Sequence, residues 1–511
     1  MSEQEWKPTV NPWLMILPVM LATFMYALDE TVANVALPHI AGSYSVSSQE
    51  SIWVLTSYLM ASSIVIPMID FLCKFFGRKN LFMLAVFIFT LASFLCGISN
   101  SIGMIVLARA MQGFGGGCLM PMAQAVTMES FSGEDRNKAM AVFGMVVVVA
   151  PILGPIVGGW ITENWSWPYI FFINVPVGFL CIALAKKFLQ DPPYARKQAG
   201  THLDKFGFLW LCVWLVPLQI VFDKGNDADW FNAPWICWLS AIALTGAVLF
   251  FYSQVKGKNP LVKLDVLKDT NYLFGTGMLI LVNAVLLASL AILPQMLQYM
   301  MGYDSFLSGL AIAPRGLGCL TATIIFGSLG GRISYRTYGL IGLCCLATGG
   351  WMLGLLNLQI NPMNIAIPNF IFGLGLVFSF MPITTLSCIT LRNDQMTNAT
   401  GLQNLLKNIG SAIGTSLVAT MLTRFAQIHQ YMLVGKMSEL NPAFIERVQS
   451  TAGALMQYTE GSVAQYMAQY SQYGQLIKQS TLWAFIDSFR IFGLLCFAVI
   501  PLMLFIKKLK H

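Results

Sequence analysis

Two adjacent acids, Asp29 and Glu30, stand inside an apolar run at about 13–38, and Arg109 stands inside another at about 102–127. An ionisable group inside such a run is costly in a bilayer, so it marks a solute or ion pathway or pairs with an opposite charge. At 1.5 Å per helical residue, the two acids lie roughly 12 Å, and the arginine roughly 10 Å, from the same membrane face. An acid–arginine set shared between two helices is therefore open geometrically. Burial and a nearby guanidinium act on a carboxyl group in opposite senses, so an acid held between them can load and release a proton as its access alternates. A static salt bridge between the helices would use the same residues. Neighbours on a helix point about 100° apart, so Asp29 and Glu30 face differently, and the sequence leaves open which of them carries the proton.

Other residues in apolar runs invite comparable readings. Tyr26, Glu30 and Asn34 follow one another at i, i+4 and i+8, a polar stripe that could meet a solute. Arg315, beside Pro314 and Gly316, falls near mid-bilayer, where a guanidinium could meet an anionic group of a substrate. Lys407 lies closer to the inner end of its run and is expected to snorkel toward water. Asp487 and Arg490, three residues apart, are expected to pair locally. Phosphate-loop chemistry is excluded: Gly257-Lys258 and Gly435-Lys436 lack the following Ser or Thr and the glycine-rich run. His39, His202, His429 and His511 have no ligand spacing, so neither a metal nor another cofactor is expected, and no enzyme.

The elements that must hold these residues are membrane helices. Of 511 residues, 56% are hydrophobic and only 10% charged, which excludes a soluble enzyme and a nucleic-acid binder. Fourteen apolar segments can be marked, from about 13–38 to about 482–506. With the N-terminus inside, 21 of the 30 Lys and Arg fall in inner loops and five outside, which orients the chain with both termini cytoplasmic. Leu37-Pro38 recurs as Leu293-Pro294, Met120-Pro121 as Met381-Pro382, and Gly154 with Gly158 as Gly410 with Gly414, at near-constant offsets of 256 to 261. The expected plan is an all-α polytopic protein: a six-helix bundle over 1–188, a basic linker and two-helix insert over 189–271, and a second six-helix bundle over 272–511.

Several strings then carry a specific resemblance. Leu28-Asp29-Glu30-Thr31-Val32-Ala33-Asn34-Val35-Ala36-Leu37-Pro38 resembles the first-helix signature of the fourteen-helix drug:proton antiporters of the major facilitator superfamily, the EmrB/QacA type. Arg109-Ala110-Met111-Gln112-Gly113 resembles the superfamily's fourth-helix motif, and Ala150-Pro151-Ile152-Leu153-Gly154-Pro155-Ile156-Val157-Gly158-Gly159 its antiporter motif. Trp167 through Gly178 is similar to the entry of its sixth helix. The loop after the second helix departs from the pattern: Asp70 and Lys74 stand where the family has Gly and Asp, whereas Gly77 and Arg78 fit.

The resemblance implies the major facilitator fold and proton-driven efflux of hydrophobic or amphipathic compounds from a bacterial inner membrane. On that reading Asp29, Glu30 and Arg109 handle the proton, while Arg315, Tyr26 and Asn34 meet the substrate. Gly154, Pro155, Gly158 and Gly159 serve as the antiporter motif. It further implies a periplasmic adaptor protein and an outer-membrane channel as partners. An uptake symporter on the same fold, or a membrane sensor without transport, are the competing readings. Residues 425–480 form the long external stretch. Asn441-Pro442 reads there as a helix cap followed by a first-turn proline, and the stretch is expected to form a helical hairpin where an adaptor docks.

Overall fold

The structure is a computed structural model that describes residues 8–198, 203–257, 260–303, 305–329, 333–357, 362–438 and 440–504. Lys7, Lys258, Gly331, Arg332, Lys507, Lys508, Lys510, His202 and His511 lie outside the described residues. Among the described residues the fold is all helix. The first six long helices are α1 Pro12–Tyr44, α2 Trp53–Phe76, α3 Arg78–Gly97, α4 Ile102–Ser130, α5 Gly133–Asn164 and α6 Tyr169–Phe188. Next come α7 Lys205–Lys224 and α8 Pro234–Lys256. The last six are α9 Thr270–Met301, α10 Ser305–Leu329, α11 Tyr335–Leu353, α12 Pro362–Cys388, α13 Met396–Val434 and α14 Gly461–Val499. Thirteen of them are long and apolar enough to cross a membrane. The exception is α11, a glycine-containing helix that packs against α12 and α14.

Local chemistry starts these helices where the sequence turns polar. Asn11 accepts the Trp13 amide with Pro12 at the first helical position, and Asp204, Asp269 and Ser334 accept amides in the first turns of α7, α9 and α11. Each such cap contributes about 1 kcal/mol. Between α2 and α3 the chain reverses at Gly77, whose φ of 83° suits a residue without a Cβ. Short turns such as this one, rich in Lys and Arg, gather at one end of the molecule, hereafter the basic end.

The repeat seen in the sequence is a repeat of packing. In the first six helices α1 packs on α4, α5 and α6, α4 on α2 and α3, and α3 on α6. The same six pairings recur among α9–α14, each helix number raised by eight. Gly154 and Gly158 sit against Thr31 and Val32 of α1, and Gly410 and Gly414 sit against Ile280 and Ala284 of α9. A Cβ on Gly154 would lie 2.0 Å from Thr31 Oγ1, so only glycine lets the two backbones approach this closely. The two sets of helices meet through α5 with α10 and α12, and through α13 with α4 and the basic-end half of α2.

The pair α7–α8 packs on the outside of this seam, α7 touching both α2 and α13. Thr56 of α2 donates to Asp223 of α7 at 2.6 Å, and Ser416 of α13 donates to the Phe222 carbonyl at 2.8 Å. Opposite the basic end, α13 and α14 run on well past the other helices. Asn441 caps Pro442–Leu455, as its sequence predicts, and that helix packs on α14 to complete a helical excursion over 434–461. This end is called the hairpin end below.

Candidate functional site

Asp29 and Arg109 meet as an ion pair in the middle of the first six helices. Arg109 Nη1 lies 2.6 Å from Asp29 Oδ2, with both side chains essentially inaccessible. The depth match that made such a pair plausible in the sequence is thus realised as a contact. Its completion comes from residues that the sequence argument gave no role of their own. Gln112 accepts from Arg109 at 2.7 Å and donates to Asp29 Oδ1 at 2.9 Å, and Asn174 of α6 donates to the same oxygen at 2.7 Å. Ser93 of α3 accepts from Gln112 at 2.7 Å. Arg109 Nε donates to the Val54 carbonyl at 3.1 Å, and its guanidinium lies 4.2 Å from the centre of the Tyr58 ring. The Asp29 carboxylate therefore receives three donors from two helices, α4 and α6, and is a fully satisfied buried anion.

Glu30, one residue on, has a different environment. It is half-buried and makes no ion pair or hydrogen bond among the described residues, while standing within electrostatic reach of Arg109 and Asp29. Along its stripe, Tyr26 is buried, Glu30 half-buried and Asn34 exposed, so accessibility rises toward the hairpin end. The Tyr26 ring stacks on Tyr58 with centroids 6.0 Å apart, and its hydroxyl approaches Ser62 of α2 and Asn408 of α13. The stripe thus faces the seam between the two sets of helices.

At the basic end the seam is shut by polar contacts. Arg78 holds Glu129 of α4 at 2.7 Å and donates to Thr397 of α13 at 2.8 Å. Gln124 of α4 donates to Gln403 at 2.7 Å and accepts from Asn404 at 3.0 Å. The Tyr335 hydroxyl of α11 bonds Asn137 of α5. Asp70 pairs with Lys74 on its own helix rather than across the loop. Asp191, in the segment after α6, accepts the Lys79 amide at 2.7 Å; burial nevertheless raises its carboxyl above the usual range.

The remaining sequence candidates are scattered. Gly158 and Gly159 are buried and Pro155 half-buried; Gly154 and Gly158 face α1, while Ile152 and Ile156 of the same helix meet α10. Arg315 of α10 is fully buried, donates to Asn369 of α12 at 3.1 Å and to Ser289 of α9 at 3.0 Å, and lies 4.6 Å from the Phe372 ring centre. By the offset of the repeat it corresponds to Tyr58, 257 residues earlier, and Asn369 to Arg109, 260 residues earlier. Lys407 does not snorkel. Helix α13 begins at Met396, earlier than the apolar run, and the side chain turns inward over Phe380 with 1% exposure. Asp487 lies 3.6 Å from Arg490 and 2.8 Å from His429 Nε2.

Residues 19–415 match the model of the Major Facilitator Superfamily. The chain belongs to that superfamily. It is 33% identical to the multidrug export protein EmrB of Haemophilus influenzae over 84% of each chain, and 31% identical to EmrB of Escherichia coli over 98% of each. It is also 34% identical to the fatty acid resistance protein FarB of Neisseria gonorrhoeae over 80% of each. Among solved structures it superposes on the human organic anion transporter MFSD10 with a TM-score of 0.62 at 12% identity, covering 97% of this chain and 100% of that one. The proton:xylose symporter XylE gives 0.59 at 13%, covering 96% of each. These two likenesses concern the fold alone. The superfamily, the helices and the relatives make this chain a multi-pass membrane transporter.

Proposed function

We propose that this chain is a proton-driven exporter of hydrophobic or amphipathic compounds in a bacterial inner membrane, working by alternating access. The observation that carries the reading is Glu30. It is a carboxyl group with no fixed partner among the described residues, next to the buried Asp29–Arg109 pair whose carboxylate is fully satisfied, on a stripe whose accessibility increases away from a sealed basic end. Asp29, Glu30 and Arg109 together make the coupling unit, with Glu30 as the acid that exchanges protons and Asp29 holding Arg109 in place. Tyr26, Asn34 and Arg315 meet the cargo. The relatives named as multidrug export and fatty acid resistance proteins support a broad amphipathic substrate class.

On this reading α11 also crosses, giving fourteen spans as six, two and six, with the basic end and both termini in the cytoplasm. Gly154, Pro155, Gly158 and Gly159 keep α5 close to α1 while the halves rock, and Asp70, Gly77 and Arg78 form the cytoplasmic loop that the Arg78–Thr397 contact latches. The excursion at the hairpin end is the docking surface for a periplasmic adaptor that hands cargo to an outer-membrane channel. Deleting 440–475 tests that assignment: adaptor co-purification is lost and ligand binding in detergent survives, and adaptor retained by a folded deletion mutant refutes it.

Proteoliposomes with an imposed pH gradient test the main reading. Adding substrate dissipates the gradient while substrate moves against its own gradient, opposite to the proton. Substrate moving in the same direction as the proton overturns it in favour of uptake symport.

A further inference from the structure

Two cations sit buried among the last six helices with no carboxylate beside them among the described residues. Arg315 and Lys407 each keep a side-chain nitrogen without a hydrogen-bond partner among the described residues, Nη2 and Nζ respectively. Both rest on rings of α12: Arg315 is 4.6 Å from the centre of Phe372, and Lys407 is 4.9 Å from that of Phe380. The rings are eight residues apart, so the cations are stepped along one helix by roughly 12 Å. The titratable group beside Lys407 is the Cys388 thiol. Arg109 in the first six helices is equally buried, yet it has Asp29.

A ring face replaces only part of the water that an ammonium loses on burial. Among the described residues, Lys407 accordingly has no counter-ion. Its position says when one could arrive. Gln403 and Asn404, four and three residues before it on α13, make the bonds to Gln124 that shut the basic end, and Asn408 after it approaches Tyr26. Parting those contacts would open the seam within one helical turn of Lys407.

We propose that Lys407 is the entry-side receptor for the carboxylate of an anionic amphiphile, reached from the basic end when the Gln124 contacts part, with Arg315 the next cationic position toward the hairpin end. The proposal rests on the exporter reading for its direction. It assigns Lys407 a ligand of defined chemistry, an alkyl chain ending in a carboxylate, and leaves cationic cargo indifferent to the residue.

The test uses the full chain in nanodiscs of zwitterionic lipid, titrated with laurate and with dodecyltrimethylammonium, which share a chain and differ in head charge. Lys407→Met weakens laurate binding by about tenfold or more and leaves the cation within about twofold, while Lys407→Arg restores most of the laurate affinity. Equal losses for both ligands, or laurate binding untouched, overturn it. Lys407→Gln is measured alongside so that a folding defect in one variant does not decide the outcome. Export of laurate and of dodecyltrimethylammonium by the wild type and by Lys407→Met separates the two readings. If the wild type exports neither laurate nor the cation against a gradient, the exporter reading falls; if laurate binding alone tracks Lys407, the receptor stands.

Discussion

Asp29→Asn and Glu30→Gln remove one charge each from neighbouring residues, and the structure separates their consequences. The Asp29 carboxylate takes Arg109 Nη1 at 2.6 Å on one oxygen, and Gln112 and Asn174 on the other. An asparagine keeps one acceptor and turns an N–H toward a guanidinium that can only donate. Removing one partner of a buried ion pair costs about 3–5 kcal/mol, because the other charge stays buried without compensation. Glu30 has no such partner, so Glu30→Gln is expected within about 0.5 kcal/mol of the parent. Thermal unfolding in detergent should therefore show a clear loss for Asp29→Asn and little change for Glu30→Gln. Transport should divide the other way: Glu30→Gln keeps substrate binding and downhill exchange but loses accumulation driven by a pH gradient. Adding Arg109→Gln to Asp29→Asn should recover part of the lost stability, since the orphaned charge goes with it. The reasoning is refuted if Asp29→Asn is as stable as the parent, or if Glu30→Gln still accumulates substrate against its gradient.

Three further outcomes follow from the packing. Gly154→Leu places a side chain where Thr31 Oγ1 already stands and should abolish transport and lower stability by several kcal/mol, about 1–3 or more, measurable by unfolding in detergent; a functional, stable variant would show that α1 and α5 separate freely. Gln124→Leu removes both contacts to Gln403 and Asn404, so a cysteine introduced near that end of α13 should label faster from the basic end, and an unchanged rate would mean that the Arg78–Thr397 and Tyr335–Asn137 contacts suffice to hold it shut. Burial raises the Asp191 carboxyl, so its ionised form is disfavoured in the folded state. Asp191 thus costs no stability below its unfolded-state pKa, and the cost grows as the pH rises from there to its raised folded pKa and is full above it. Asp191→Asn should therefore raise the melting temperature at pH 7 and lose that advantage as the pH falls through the carboxylate range.

The membrane helices, the polar cap at Asn441 and the repeat at offsets near 256 were legible in the sequence because each is carried by hydrophobicity or turn chemistry within a few residues of itself. The matched depths of Asp29 and Arg109 followed from counting, because a bilayer fixes how far along a helix a residue must lie. Gln112 and Asn174 lay inside strings that had been singled out, and spacing could have suggested Gln112, three residues after Arg109 on one helix face. Ser93 and Glu129 carried no local signal at all. What the tertiary structure alone decided is rotation and partnership. The turn of α1 about its axis gives Asp29 to Arg109 and leaves Glu30 toward the seam, a choice that two adjacent acids cannot reveal. Lys407 was misjudged for the same reason. Its distance from the end of an apolar run suggested water, but α13 starts earlier and directs the side chain onto Phe380 of another helix. Depth is a property of one helix and can be read from the chain; the neighbour that a buried charge meets depends on where other helices pack, and no spacing along one helix contains it.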